Sequence, residues 1–127
     1  MRRVLFDIQN SRLAEDIRQA LEEYGPDFEK ICSQKPEETA DLCCAVRPDI
    51  LLLEAAERLP WRLEERLRIC ERVRKQIPGM QIVLVIDENA EKKLTDRVCG
   101  ARKDGLIDRF IYASASPAYL SAVVDAL

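Results

Sequence analysis

Three carboxylates in this chain follow runs of apolar residues, and such positions form the ligand-binding edge of a parallel sheet. Asp7 closes the first run, Glu54 the third and Asp87 the fourth. Carboxylate oxygens are the ligands that a hard divalent cation prefers, so one interpretation is a cation or small-ligand site at this edge. Side-chain alternation turns Asp7 to the opposite face from Ile8, which weakens that interpretation. Nearby polar residues that would complete such a pocket are Gln9, Asn10 and Ser114.

The composition excludes several common kinds of active site. The chain has no histidine, so it has no Ser-His-Asp or Cys-His nucleophile pair, no HExxH zinc site and no phosphohistidine. Its four glycines form neither of the glycine-rich phosphate-binding motifs, GxGxxG and GxxxxGK(S/T). The net charge of −3 provides no overall basic field for nucleic acid. We therefore expect a protein that is not an enzyme and that carries no cofactor.

Five cysteines are present, and none of them forms a Cys-x-x-Cys pair. An odd number at irregular spacing is typical of a reducing compartment, so we predict a cytoplasmic protein whose cysteines are small buried apolar residues. Adjacent Cys43 and Cys44 would point about 100° apart on a helix, which disfavours a shared metal. The sequence contains no apolar run of about 18 residues and no signal peptide, so we expect no contact with a membrane.

Short apolar runs alternate with amphipathic segments along the whole chain. The runs at 3–8, 28–33, 50–53, 82–86 and 106–113 predict five strands. Apolar spacing and capping residues predict helices over 11–24, between Pro36 and Pro48, over 63–77, between 91 and 103, and from Pro117 onward. This alternation predicts one α/β domain over 1–127, with a parallel sheet, helices on both faces and right-handed crossovers.

Three segments carry a resemblance to one protein family. They are PDILLLE at 48–54, KQIPGMQIVLV at 75–85 and FIYASASPAYL at 110–120. Together they resemble the receiver domains of two-component response regulators, and the last segment is most similar to receivers joined to helix-turn-helix outputs. The resemblance implies a flavodoxin-like three-layer sandwich whose five-stranded parallel sheet has the order 2-1-3-4-5. It also implies that the chain is the N-terminal part of a longer regulator in a phosphorelay.

The positions that would transfer phosphate depart from the family pattern. The family uses an Asp acceptor, two acids that hold Mg²⁺, a hydroxyl and a lysine, because the transferred charge must be neutralised. The equivalent positions here are Glu54 for the acceptor; Ile8 and Gln9 for the acids, with Asp7 one residue early; Ile86, then Asp87, for the hydroxyl; and Ala113 for the lysine. The last lysine in the chain is Lys103. The resemblance therefore implies a pseudo-receiver that takes no phosphate and binds no Mg²⁺.

Two of these positions keep alternative interpretations. Glu54 is either a solvated carboxylate at a strand end or a permanent imitation of the phosphorylated state. Imitation is the weaker hypothesis, because one carboxylate has less charge and fewer acceptor oxygens than a phosphoryl group. Phe110 matches the family's aromatic switch residue, but an aromatic residue in a strand more often serves packing alone.

The third predicted helix and its approach are rich in arginine. The basic residues are Arg58, Arg62, Arg66, Arg68, Arg72, Arg74 and Lys75. Because glutamates are interleaved with them, we interpret this helix as a solvated one with i,i+4 ion pairs rather than as a nucleic-acid surface. The only tryptophan, Trp61, precedes this helix and either anchors a partner or covers the core.

These observations predict a module that signals through protein contacts and regulates an output such as transcription. The resemblance implies contact through the fourth helix, the fifth strand and the fifth helix, with a homodimer as one arrangement. Candidate contact residues on that face are Leu94, Arg97, Val98, Arg109, Tyr112 and Tyr119. DNA would be contacted only through a separate output domain. The alternative function is binding of a cation or small ligand at the edge formed by Asp7, Glu54 and Asp87.

Overall fold

The computed structural model describes residues 2–24, 28–33, 35–56, 61–87 and 92–127. Within these ranges, five strands alternate with five α-helices, as predicted. The strands are β1 (Arg2–Asp7), β2 (Phe28–Cys32), β3 (Ile50–Glu54), β4 (Gln81–Ile86) and β5 (Arg109–Tyr112). The helices are α1 (Ser11–Tyr24), α2 (Thr39–Val46), α3 (Leu63–Gln76), α4 (Lys92–Lys103) and α5 (Pro117–Asp125). A 3₁₀ helix, Pro36–Glu38, leads into α2.

All strand pairs are parallel, and the order of the sheet is β2-β1-β3-β4-β5. The predicted order 2-1-3-4-5 and the predicted α/β sandwich are confirmed. The central strands β3 and β4 have continuous apolar sequences because helices cover both of their faces. In the ladder, Asp7 pairs with Leu53 and Glu54 pairs with Val85, so the ends of β1, β3 and β4 lie side by side.

Two apolar layers enclose the sheet, and strand alternation decides which residues enter each layer. Leu5, Leu53 and Ile86 face the layer that packs against α2, α3 and α4. Phe6 and Val85 face the layer that packs against α1 and α5. Among the described residues, no helix combines the length and the apolar composition that a membrane crossing needs.

Several local predictions are wrong in ways that have physical causes. The fifth strand was expected over 106–113, but only Arg109–Tyr112 pairs with β4, because Ile107 is buried by packing without joining the ladder. The spacing in the second helix also predicts that the stem of Arg47 is buried beside Ala40, Cys43 and Cys44. Arg47 instead lies just after α2 with a φ of 53°, a left-handed conformation that ends the helix and leaves its side chain exposed.

The prediction that all five cysteines are buried holds for two of them. Cys43 and Cys70 lie in the core, whereas Cys32 is exposed and Cys44 and Cys99 are half-buried. All five are free thiols. Burial raises the pKa of both the Cys43 and the Cys70 thiols to about 12, so neither forms a thiolate readily.

Candidate functional site

A buried ion pair lies at the end of β1, where the sequence predicted an acidic edge. The side chain of Asp7 continues the face of Leu5 and is directed toward α2 and α3, so residue Asp7 is only 3% exposed. Arg66 of α3 reaches it and is 0% exposed. Arg66 Nη1 donates to Asp7 Oδ2 over 2.5 Å, and Arg66 Nη2 donates to Asp7 Oδ1 over 3.0 Å. Both carboxylate oxygens are therefore held by one guanidinium.

The same guanidinium also binds the backbone at two strand ends. Arg66 Nη2 donates to the carbonyl oxygen of Asp7 over 3.2 Å, and Nε donates to that of Glu54 over 2.7 Å. β1, β3 and α3 are therefore joined by four hydrogen bonds from one side chain. A buried charge is tolerated only when it is paired and its donors are satisfied, and this geometry meets both requirements.

Two hydroxyl groups extend this ion pair toward the surface. Thr39, the first residue of α2, is fully buried, and its Oγ1 donates to Asp7 Oδ2 over 2.5 Å. Thr39 Oγ1 also lies 2.8 Å from Ser33 Oγ, which itself donates to the carbonyl oxygen of Lys35 over 3.1 Å. We call Asp7, Arg66 and Thr39 the buried triad. Four elements, namely β1, β3, α2 and α3, meet at this triad.

The side chain of Glu54 has a separate role at the same edge. Glu54 is half-buried, and its Oε1 accepts a hydrogen bond of 3.0 Å from the backbone N–H of Asn10. Asn10 in turn caps α1, since its Oδ1 accepts hydrogen bonds from the backbone N–H groups of Arg12 and Leu13. Glu54 is therefore not only a solvated carboxylate, because it also positions the start of α1.

The remaining predicted site residues differ in their burial. Ile8 and Gln9 are half-buried, Ile86 is fully buried and Asp87 is exposed. Ala113 packs beside the α1–α5 layer, and Ser114 is exposed. Across the described ranges, no group of three acids or cysteines could hold a metal ion. Because Arg66 already occupies Asp7, the structure does not bring Asp7, Glu54 and Asp87 together as ligands.

The predicted contact residues differ in exposure, and their role as a contact face stays a prediction. Tyr112 is 39% exposed and Tyr119 is 52% exposed, while Phe110 is half-buried and packs edge-to-face against Tyr112 with ring centroids 6.0 Å apart. Leu94 and Arg109 are half-buried, and Arg97 is exposed. The inclusion of Val98 is wrong, because its side chain is 0% exposed and packs in the core between α4 and the sheet.

Arg97 is held by an ion pair with α3. Its Nη1 lies 2.6 Å from Glu64 Oε1, and this hydrogen bond holds the pKa of the Glu64 carboxyl below its usual range. A cleft of about 380 Å³ separates the starts of α3 and α4 at this point. Its charged lining residues are Arg62, Glu64, Lys93 and Arg97, three of which are basic.

The buried triad is the feature that sequence reasoning missed. Arg66 was included in a solvated arginine-rich helix, and for this residue that interpretation is wrong. A signal was present, because Leu63, Arg66, Cys70 and Val73 recur at helical spacing and all four are buried. Thr39 likewise lies four residues before Cys43 on the buried face of α2. Arg58 lies outside the described residues.

Trp61 keeps both of its alternative interpretations. Its side chain is half-buried, and the indole Nε1 is enclosed without a hydrogen-bond partner among the described residues. Its carbonyl oxygen accepts a 2.7 Å hydrogen bond from the backbone N–H of Ala56, which fixes the chain just before α3.

Comparisons with known proteins identify the fold. A scan against protein-family models gives no match, and a search of curated proteins gives none. Among solved structures, the chain is similar to a DNA-binding response regulator of the LuxR family from Staphylococcus aureus. The identity is 14%, the match covers 99% of this chain and 98% of that one, and the TM-score is 0.75.

Two further solved structures show the same likeness. A CheY-like receiver domain protein from Methanospirillum hungatei JF-1 is 18% identical, with 99% of this chain and 92% of that chain covered and a TM-score of 0.78. A CheY-like protein, tadZ, from Pseudomonas aeruginosa PAO1 is 16% identical, with 99% and 98% covered and a TM-score of 0.73. The chain is thus a flavodoxin-like sandwich of parallel β-α units. More narrowly, its fold is that of CheY-like response-regulator receiver domains, which confirms the resemblance at the level of fold.

Proposed function

We propose that this chain is a receiver-like signalling module that takes no phosphate and acts by binding other proteins. The buried triad is the observation that carries the proposal. Its guanidinium supplies a permanent positive charge at the edge of the sheet, where phosphoryl chemistry would otherwise need a metal ion to neutralise charge. The module is a binding protein rather than an enzyme, and it regulates an output such as transcription.

The ion pair leaves the edge poorly suited to a divalent cation. A cation at Asp7 would have to displace Arg66, which has no other charged partner among the described residues and would remain charged and buried. Stranding one member of a buried pair costs about 3–5 kcal/mol, which a single carboxylate contact does not offset. Glu54 Oε1 is meanwhile engaged by the backbone N–H of Asn10. Asp7 and Glu54, the carboxylates at the ends of β1 and β3, therefore both have partners already.

The face formed by α4, β5 and α5 is the proposed contact surface. It combines two exposed tyrosines with a basic helix, since α4 has five lysines and arginines and one aspartate. The basic cleft between α3 and α4 continues this surface. A second copy would present the same positive charges, so pairing of two copies through this face would place like charges next to each other, which is unfavourable. We therefore favour a protein partner with an acidic contact surface over a homodimer here.

The proposal includes a cytoplasmic location, because five free thiols are typical of a reducing compartment. Contact with DNA would occur only through an output part that is joined to this module or bound by it. No role in phosphate relay is assigned to any residue at the edge.

Incubation with acetyl phosphate and Mg²⁺, followed by measurement of the intact mass, tests the absence of phosphorylation. We expect an unchanged mass, while a receiver domain that accepts phosphate gains one phosphoryl group in a parallel reaction. The matched variant is Glu54→Asp, which restores the family's acceptor residue. It should also stay unmodified, because Arg66 still fills the edge. A phosphoryl group on the unaltered chain would overturn the proposal.

The Glu54→Gln variant tests whether Glu54 imitates a phosphorylated state. Glutamine removes the charge and keeps an oxygen that can accept the Asn10 N–H. We expect amide shifts confined to the start of α1 and the end of β3. Shifts that also reach Tyr112 and Phe110, far along the sheet edge, would instead support permanent imitation.

A further inference from the structure

A groove of about 340 Å³ separates α2 from α3 and opens to the surface. Its apolar lining consists of Pro36, Ala40 and Ile69. Two of its lining residues neighbour the buried triad in sequence, since Ala40 follows Thr39 in α2 and Glu65 precedes Arg66 in α3. Its shape is a shallow furrow between two helices, which suits a side chain from another protein surface better than an enclosed small molecule.

The charged residues of the groove are separated along its length. Three cross-helix contacts pair the helices in the same order: Thr39 and Arg66 share Asp7, Asp41 pairs with Arg72, and Cys44 donates to Gln76. α2 and α3 therefore run in the same direction. The charged lining residues of the groove are two acids and two arginines. The acids Glu37 and Glu65 lie near the N-termini of α2 and α3, and the arginines Arg68 and Arg72 lie further along α3. Seven residues of helix place Arg72 about 10 Å beyond Glu65.

Three of these charged residues, Glu37, Arg68 and Arg72, are exposed and accessible to a partner. Glu65 is half-buried, and its Oε2 is enclosed and accepts no hydrogen bond from a described residue. The ion pair of Arg72 with Asp41 is on the surface, where such pairs contribute little and rearrange easily. The groove thus has an acidic end, a basic end and an apolar floor between them.

We propose that this groove pairs with the same groove of a second copy of the chain, which goes beyond the proposed function. A two-fold axis perpendicular to both helices brings the acidic end of each copy against the basic end of the other. The apolar residues of the two floors then face each other at the centre. One groove per copy makes a small interface, so the dimer is a weak one that forms at high concentration.

Charge-swapped variants test this pairing. Glu37→Arg with Glu65→Arg makes the groove wholly basic, and Arg68→Glu with Arg72→Glu makes it wholly acidic. In sedimentation equilibrium we expect the unaltered chain to dimerise with rising concentration and each variant alone to stay monomeric. An equimolar mixture of the two variants should recover the dimer, because arginines again face glutamates.

Controls keep the result specific to the groove. Asp16→Arg with Glu23→Arg makes the same charge change on the exposed surface of α1 and should leave the dimer intact. If the variant at half-buried Glu65 does not fold, Glu37→Arg alone takes its place in the mixture. A chain that stays monomeric at millimolar concentration overturns the proposal. A dimer that both variants retain, or a mixture that fails to restore it, also overturns it.

Discussion

Replacing Arg66 by methionine is the perturbation whose energetic effect follows most directly from the structure. Methionine keeps an aliphatic stem of similar length but removes all four hydrogen bonds of the guanidinium. Asp7 is then a buried carboxylate that keeps its hydrogen bond from Thr39, and the carbonyl oxygens of Asp7 and Glu54 lose their contacts with the guanidinium. Removing one partner of a buried ion pair costs about 3–5 kcal/mol.

Urea denaturation followed by circular dichroism measures this effect. With a slope of about 2 kcal/mol per molar urea, Arg66→Met should lower the midpoint by about 2 M. The double variant Arg66→Met with Asp7→Leu removes both charges and should recover most of the lost stability, because apolar replacement of a buried pair is often neutral or stabilising. The matched control is Arg18→Met, which breaks an exposed pair with Glu15 and should change stability by less than about 0.5 kcal/mol.

Two results would refute this reasoning. One is an Arg66→Met variant whose urea midpoint differs from that of the unaltered chain by no more than the control's does. This result would mean that the Asp7 carboxylate is solvated. The other is a double variant whose loss equals the sum of the two single losses, since uncoupled residues add.

Three further predictions concern other parts of the chain. In the folded protein at pH 8, Cys43 and Cys70 should resist alkylation until the chain unfolds, as mass spectrometry of tryptic peptides would detect; rapid labelling would contradict their burial. Arg97→Gln should raise the pKa of Glu64 toward its usual value in a carboxyl NMR titration. Because the pKa of Glu64 is lower in the folded state, the ion pair stabilises the fold above about pH 4.5, the usual value for this carboxyl. This stabilisation is lost as the pH falls through the folded-state pKa. Arg47→Gly should stabilise the fold by up to about 1 kcal/mol, because glycine relieves the positive φ; a clear loss in urea denaturation would contradict this.

The sheet could be predicted because its physical signal is local. Strands covered on both faces need unbroken apolar runs, and β3 and β4 show them in the sequence. The start of the fifth strand was predicted three residues too early, because Ile107 satisfies the apolar pattern through packing alone, without a strand partner. Pairing depends on the neighbouring strand, which a single run of residues does not specify.

The site could be predicted only in part, because its central contact joins residues far apart in the chain. Alternation correctly turned Asp7 away from the face of Ile8, but no sequence spacing names its partner 59 residues later. Arg66 was assigned to the solvent because glutamates are interleaved with the arginines of this helix. The apolar stripe of α3 and the inward-facing Asp7 were separate signals, and only their combination identifies the pair.

A titration of the unaltered chain with Mg²⁺ and beryllofluoride, followed by amide NMR shifts, tests the central claim most directly. If Arg66 permanently supplies the positive charge at this edge, the amides of Asn10, Glu54 and Ala55 should not move in a saturable way. Saturable shifts at these positions would show that the edge still accepts a metal ion and a phosphoryl mimic, and would contradict the account.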